Sequence, residues 1–198
     1  EIGIYGTPAA PTNTGLEINS YAPEHCINLA PESMVTAPGS YESGDGLWGV
    51  ANINNEYTSR HGGFTIFKNN ASNIDFSLGN IAEVKRVVLF RNGIAPKTLE
   101  IRTSFDGTNY KTVRTVSIPE SVSQDNGNTE SENKVLKYFT FDLPEKTFAS
   151  HVQVLITESF GLDDITAQCA EIAIYGVRNI FDAQLNKSSI NLVLNDTL

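Results

Sequence analysis

Short strand-like segments separated by turn residues recur along most of this 198-residue chain. In Ser72–Gly79, for example, Ile74, Phe76 and Leu78 alternate with other residues and share one face of a predicted strand. No long segment shows helical periodicity. The pattern therefore predicts an all-β chain folded as an antiparallel β-sandwich. The other predicted strands are Glu83–Phe90, Lys97–Gly107, Lys111–Ile118, Lys137–Pro144, His151–Thr157 and Ala170–Gly176.

Other segments contain residues that are typical of turns, loops and linkers. Asp106 and Gly107 separate two strand-like runs and predict the turn of a β-hairpin. Ser123–Asn133 is polar and lacks apolar anchors, which predicts a loop. Thr7–Gly15 is rich in Pro and Thr and predicts a linker.

The first six residues, EIGIYG at Glu1–Gly6, nearly return as EIAIYG at Glu171–Gly176. Each copy alternates polar and apolar residues and stops at Gly, which predicts a short strand running into a turn. A repeat about one domain length apart suggests a tandem array of modules. The alternative is that Glu1–Gly6 is an extra strand of the same domain.

Composition narrows the possible partners. The chain is 40% hydrophobic and 19% charged, which is enough apolar material for a core and argues against disorder. Its net charge of −9 would repel phosphate backbones and anionic lipid head groups, so nucleic acid and membrane surfaces are disfavoured. No apolar run is long enough to span a bilayer.

Motifs for catalysis are absent from the sequence. There is no Gly-x-Ser-x-Gly, no His-Glu-x-x-His and no phosphate-binding loop, and the histidines His25, His61 and His151 stand far apart. The sequence therefore predicts that this chain is not an enzyme. The two cysteines, Cys26 and Cys169, form no zinc-binding pattern; either they form a disulfide or they are two small buried side chains.

Five motifs resemble those of discoidin domains, the coagulation factor V/VIII C-type group. They cover residues 28 to 176 in the family's order, and the Asp-Gly hairpin is the most specific of them. The resemblance implies a jelly-roll, galactose-binding-like fold. The motifs are NLAPESMVTA (Asn28–Ala37), ANINNEYTSRH (Ala51–His61), SNIDFSLG (Ser72–Gly79), LEIRTSFDGTNYKTV (Leu99–Val113) and AEIAIYG (Ala170–Gly176).

The resemblance also implies a division of the chain. Residues 1–20 would be the end of a preceding module and a linker, and residues 21–177 the discoidin-like module. Residues 178–198 would be a linker and the start of a bacterial immunoglobulin-like module, whose first strand Leu185–Leu198 resembles. Such arrays occur in secreted or cell-surface bacterial proteins, often glycoside hydrolases or peptidases, so covalently linked neighbouring modules are expected.

Within the discoidin group, the sequence is similar to family 32 carbohydrate-binding modules, which bind galactose-type sugars. The similarity implies ligand-binding roles for His61, Phe64, Arg91, Asn92 and Phe160. The chemistry suits a sugar, because an aromatic ring stacks on the apolar C–H face while guanidinium and imidazole groups bond to hydroxyls.

Many modules of that family hold a structural calcium ion. The matching positions here are Asn54, Glu56, Thr58 and Glu171, whose oxygen atoms suit a hard cation. The sequence departs from the family pattern at Asn54 and Asn55, which replace Asp and Gly and remove one carboxylate.

Three functions are consistent with these residues. The first is a noncatalytic carbohydrate-binding module that recognises terminal galactose or N-acetylgalactosamine on host glycans. The second is a structural or protein-binding discoidin module, which the departures at Arg60, where the family has Trp, and at Asn54 would allow. The third is lipid-surface binding, which the acidic balance opposes unless calcium bridges the charges.

Overall fold

The computed structural model describes residues 18–44, 46, 48–56, 58, 65–68, 72–91, 96–118, 138–160 and 165–178. For residues 65–68, 72, 91 and 165–167 it describes the backbone alone. The predictions made for Glu1–Gly6, Thr7–Gly15, Ser123–Asn133 and Leu185–Leu198 therefore lie outside the described residues.

The described ranges contain nine β-strands and three short 3-10 helices, and every strand pair is antiparallel. This confirms the predicted all-β class. The helices are Ile18–Tyr21, Ala30–Glu32 and Val50–Asn52. The strands are β1 (Ile27–Asn28), β2 (Met34–Thr36), β3 (Thr65–Lys68), β4 (Ser72–Arg91), β5 (Pro96–Ser104), β6 (Lys111–Ser117), β7 (Tyr138–Asp142), β8 (Phe148–Ser159) and β9 (Ile165–Arg178).

Strand β4 links the two layers of the sandwich. Its first half pairs with β2 and β8, and its second half pairs with β7 and β9. The pairing with β8 shifts between Ser77 and Ala82, where Gly79 has a φ of 77°. The sequence pattern predicts two strands here, Ser72–Gly79 and Glu83–Phe90, and the structure joins them into one bent strand. One layer therefore contains β2, β8, β5 and β6, and the other contains β1, β3, β9 and β7.

The core lies between these layers. Ile74 and Phe76 of β4 are fully buried, as their alternation predicts, and Leu78 is partly buried against them. Ile172 and Ile174 of β9 face the same cluster. Burial of such apolar surface is the dominant force that holds the two layers together.

A second apolar cluster covers the opposite face of β9. Tyr175 and Phe90 are fully buried against Ile18 and Tyr21 of the first helix. The Tyr175 hydroxyl donates to the carbonyl oxygen of Ile18, and the Tyr21 and Phe90 rings meet edge to face at 5.4 Å. Strand β9 is therefore buried on both faces, and the helix Ile18–Tyr21 belongs to the packed unit.

The predicted turn at Gly176 is wrong. Strand β9 passes through Gly176 and ends at Arg178. A Cβ at this position would collide with the carbonyl oxygen of Glu83 and lie 2.9 Å from Cδ1 of Leu29. The glycine is required because two backbones approach closely, and not because the chain reverses.

The two cysteines are free and distant from each other. Cys26 directly precedes Ile27, which pairs with Gly176, whereas Cys169 pairs with Arg91 at the other end of β9. Gly176 lies seven positions after Cys169, which corresponds to about 23 Å of strand. A disulfide requires a Cα separation below about 7 Å. Of the two interpretations, the structure supports two unbonded side chains.

Candidate functional site

Two strand ends meet at one end of the sandwich. Strand β4 ends at Arg91 and β3 begins at Thr65, and both of these residues pair with Cys169 of β9. Since neighbouring strands lie about 4.8 Å apart, the backbones of Arg91 and Thr65 lie about 10 Å from each other. We call this end of the sandwich the Arg91 rim.

A third strand end reaches the same rim. Strand β8 ends at Ser159, which pairs with Pro96 at the start of β5. Phe160 follows Ser159 and is half-buried. Pro96 is only five positions after Arg91 in the sequence, so the ends of β4, β5 and β8 belong to one rim.

The structure describes only some of the predicted sugar-binding residues. His61, Phe64 and Asn92 lie outside the described residues, and the Arg91 side chain is not described. Phe64 directly precedes Thr65 in the sequence, and Asn92 directly follows Arg91. The topology thus brings the chain neighbours of the predicted residues together, and the sugar contacts themselves stay a prediction.

The loop at residues 53–58 closes over β9 beside the rim. The backbone N–H of Ile172 donates to the Ile53 carbonyl at 2.8 Å, and the N–H of Glu56 donates to Oε2 of Glu171 at 3.1 Å. The N–H of Asn55 also donates to this carboxylate. Glu56 has a φ of 64°, a left-handed conformation that a non-glycine residue rarely adopts.

Glu171 is wholly buried. Its Oε1 atom has no hydrogen-bond partner in the described part of the chain. Burial raises the pKa of this carboxyl well above its usual range, while the N–H groups of Glu56 and Asn55 oppose the shift. An orphaned buried oxygen of this kind calls for an explanation.

The other predicted calcium ligands surround the same loop. Asn54 donates from Nδ2 to the carbonyl oxygens of Ala30 at 2.8 Å and Ser33 at 3.2 Å, which ties the loop to the helix Ala30–Glu32 and the residue after it. Thr58 is buried. Asn28 donates to Oε1 of Glu56 at 3.4 Å. Among the residues that the structure describes, no three His, Cys, Asp or Glu side chains group closely enough to hold a metal.

Trp48 anchors its own loop. Its backbone N–H donates to Oγ of Ser43 at 2.9 Å, and its carbonyl oxygen accepts from the Ser43 N–H at 2.9 Å. The indole packs against the cluster around Tyr175 and Phe90. These contacts show that Trp48 anchors its loop.

A group of polar residues on the outer face of the β4–β8 layer is not among the residues predicted from the sequence. Asp75, Tyr110 and Gln153 line a cleft there. The available signal was alternation, because Asp75 lies between the core residues Ile74 and Phe76 and must point outward.

Comparisons with known proteins identify the fold. No protein-family model matches the sequence, and no curated protein matches it. The family 32 module of Clostridium perfringens NanJ, solved with galactose, is 16% identical, with 76% of this chain and 98% of that chain covered and a TM-score of 0.53. A chitosan-binding module of a Paenibacillus chitosanase/glucanase is 20% identical, with 76% and 99% covered and a TM-score of 0.55.

A serum fucolectin of striped bass, Morone saxatilis, is similar in the same way. It is 16% identical, with 77% of this chain and 50% of that chain covered and a TM-score of 0.58. The fold is the discoidin, galactose-binding-like fold. This confirms the resemblance and the sandwich architecture predicted from sequence. In the described part of this chain, no helix is long and apolar enough to cross a membrane.

Proposed function

We propose that this chain is a noncatalytic carbohydrate-binding module that binds terminal galactose or N-acetylgalactosamine at the Arg91 rim. The observation that carries the proposal is the shared pairing of Arg91 and Thr65 with Cys169. It brings the chain neighbours of Phe64 and Asn92 to one place, and Phe160 follows a strand that ends at the same rim.

The similar structures support this assignment. The NanJ module was solved with galactose, and another Clostridium perfringens module of the same fold was solved with a disaccharide of N-acetylgalactosamine and galactose. In the proposed site, Arg91 and His61 bond to sugar hydroxyls, and Phe64 or Phe160 stacks on the C–H face. Each such bond replaces a bond to water, so a millimolar to micromolar affinity is expected.

The test is calorimetric titration with galactose and N-acetylgalactosamine. We expect Arg91→Ala and His61→Ala each to weaken binding by about 10-fold or more, since a hydrogen bond from a charged donor contributes about 1.5–3 kcal/mol. Arg114→Ala is the matched control, because Arg114 is an exposed arginine on β6, away from the rim. Unchanged circular dichroism would show that each variant folds.

A second outcome would favour a different function. If a glycan array shows no binding and a pull-down recovers a protein partner, the chain is a structural or protein-binding module. Asn54 supports this alternative, because it replaces the Asp of the family pattern. Its amide nitrogen instead donates to the carbonyl oxygens of Ala30 and Ser33, which is a structural role. Equal sugar binding by wild type and by both rim variants would refute the rim as the site.

We also propose that the loop at residues 53–58 holds a structural calcium ion. The residues fit a cation in one respect, because Oε1 of Glu171 is buried without a partner in the described part of the chain. Glu171 and Glu56 would supply carboxylate oxygens, and Asn54 and Thr58 would supply neutral ones. The ion would fix the loop that leads in sequence to His61.

Thermal unfolding with calcium and with EDTA tests this proposal. We expect calcium to raise Tm in wild type and to leave Glu171→Gln unchanged. Glu145→Gln removes an exposed carboxylate and should respond as wild type does. An identical Tm in calcium and EDTA would refute the site.

Finally, we propose that the chain acts within a secreted or cell-surface bacterial protein that carries further modules. The parent would be a glycoside hydrolase or peptidase that this module positions on glycans. The domains encoded on either side of this chain in its gene would test the proposal directly. If neither side of this chain encodes a module typical of secreted proteins, the proposal is contradicted.

A further inference from the structure

A cleft of about 590 Å3 lies on the outer face of the layer formed by β2, the first half of β4, β8 and β5. Its volume falls within the roughly 300–1,000 Å3 of small-molecule sites. Ser77 and His151, which line it, pair with each other just before β4 bends, so the cleft extends toward the end opposite the Arg91 rim. It is separate from the site proposed above.

The floor of the cleft is a bonded network of polar side chains. Gln153 donates from Nε2 to Oδ1 of Asp75 at 2.7 Å, and Asn73 donates to the other Asp75 oxygen. The Tyr110 hydroxyl also bonds to Asp75. Because each member restrains the next, the polar atoms are held in place before any ligand arrives.

The strand register builds this floor. Asp75 pairs with Gln153, and Gln153 pairs with Arg102, so three neighbouring strands present polar side chains in one row. Nη1 of Arg102 lies 3.5 Å from Oε1 of Gln153 and extends the row. Gln153 is only 8% exposed, although it is polar and faces away from the core.

The β5–β6 turn forms a rigid wall of the cleft. The Asp106 carboxylate accepts from the backbone N–H groups of Thr108 at 2.9 Å and Asn109 at 2.8 Å. Gly107 has a φ of 72°, and a Cβ there would lie 3.0 Å from Nε2 of His151. The turn therefore packs directly on the histidine ring.

These groups specify the chemistry of a ligand. Amide, phenol, imidazole and hydroxyl groups offer both donors and acceptors, as a molecule with many hydroxyl groups requires. The half-buried Tyr110 ring supplies an apolar surface for a sugar's C–H face. The carboxylates of Asp75 and Asp106 would repel acidic groups.

We propose that this cleft is a second saccharide-binding site, which takes an oligosaccharide whose sugars are uncharged or carry amino groups, and excludes acidic sugars. Two sites at different places on one module would hold a glycan more tightly than either alone when both can engage the same ligand. The inference rests on the residues of the cleft and not on the proposed rim site.

Amide NMR titration with three disaccharides tests the site: N,N′-diacetylchitobiose, its deacetylated form, and digalacturonic acid. We expect the first two to shift the amides of residues 73–77 and 151–153 in a saturable way, and the acidic sugar to leave them unmoved. Gln153→Ala and Tyr110→Phe should each weaken this binding about 3- to 10-fold. Ser117→Ala, an exposed change elsewhere on β6, should not.

A variant of the rim separates the two sites. Arg91→Ala should weaken galactose binding at the rim by about 10-fold or more and leave the shifts at residues 73–77 unchanged. The cleft proposal is overturned if no disaccharide shifts those amides, if digalacturonic acid binds as well as the others, or if both cleft variants bind like wild type. Should Tyr110→Phe fail to fold, Gln153→Ala alone decides the question.

Discussion

The backbone N–H of Glu56 lies 3.1 Å from Oε2 of Glu171, although the two residues are 115 positions apart. The same carboxylate accepts the N–H of Asn55. Glu171 thus closes the loop at residues 53–58 onto the centre of a buried strand. Both hydrogen bonds join groups of the chain itself.

The first prediction separates the acceptor role of Glu171 from its charge. In metal-free buffer, Glu171→Leu should lower the free energy of unfolding by about 2–4 kcal/mol, because two amides lose a buried acceptor. Glu171→Gln keeps an oxygen and should cost less than about 1 kcal/mol. Urea unfolding followed by fluorescence of Trp48, the single tryptophan, measures both. Equal losses in the two variants would contradict the acceptor role.

The second prediction concerns glycines that differ in strain and in packing. Gly107 has a φ of 72° and a crowded Cβ position, Gly79 has a φ of 77° in open space, and Gly44 has neither feature. We expect Gly107→Ala to cost about 2 kcal/mol, Gly79→Ala about 1 kcal/mol, and Gly44→Ala almost nothing. Unfolding in urea gives the three values. A different order would show that the turn does not pack on His151 as described.

The third prediction concerns the two thiols. Burial raises the pKa of Cys169 to about 12, and Cys26 is only half-buried. A thiol reagent at pH 8 should therefore label Cys26 in the folded protein and Cys169 only after unfolding. Reductant should not change Tm, whereas loss of a native disulfide typically costs about 2–5 kcal/mol. A lower Tm in reductant would show that the cysteines are bonded.

The fourth prediction is a pH dependence that arises from Tyr110. Burial, together with the charge and hydrogen bond of Asp75, raises the pKa of this phenol to about 12. The folded state therefore holds the proton more tightly than the unfolded state, whose tyrosines titrate near pH 10. Stability should fall as pH rises from about 10 to about 12, by less than about 1 kcal/mol per pH unit because solvent screens a half-exposed ring.

Tyr110→Phe should remove this part of the alkaline slope, and Tyr41→Phe, a change at an exposed tyrosine, should keep it. Urea unfolding at pH 9 to 11.5 measures the slope in all three proteins. If Tyr110→Phe keeps the full slope, the phenol does not sense Asp75.

Local pattern predicted much of the sandwich. The alternation at Ile74 and Phe76 named core residues correctly, and the Asp106–Gly107 turn lies where turn chemistry placed it. The very short strands β1 and β2 were missed, because two or three residues are too few to show a period. The turn predicted at Gly176 is wrong, because the sequence does not distinguish a glycine in a turn from a glycine that lies against a neighbouring backbone.

The sequence by itself determined the all-β class, most strand positions and the discoidin resemblance, because side-chain alternation and turn residues act over a few neighbouring positions. Only the tertiary structure decided that Glu56 meets Glu171, that Cys26 and Cys169 stay apart, and that polar residues of three strands line one cleft. Those relations depend on register between distant segments, and register is fixed by packing of the whole sandwich.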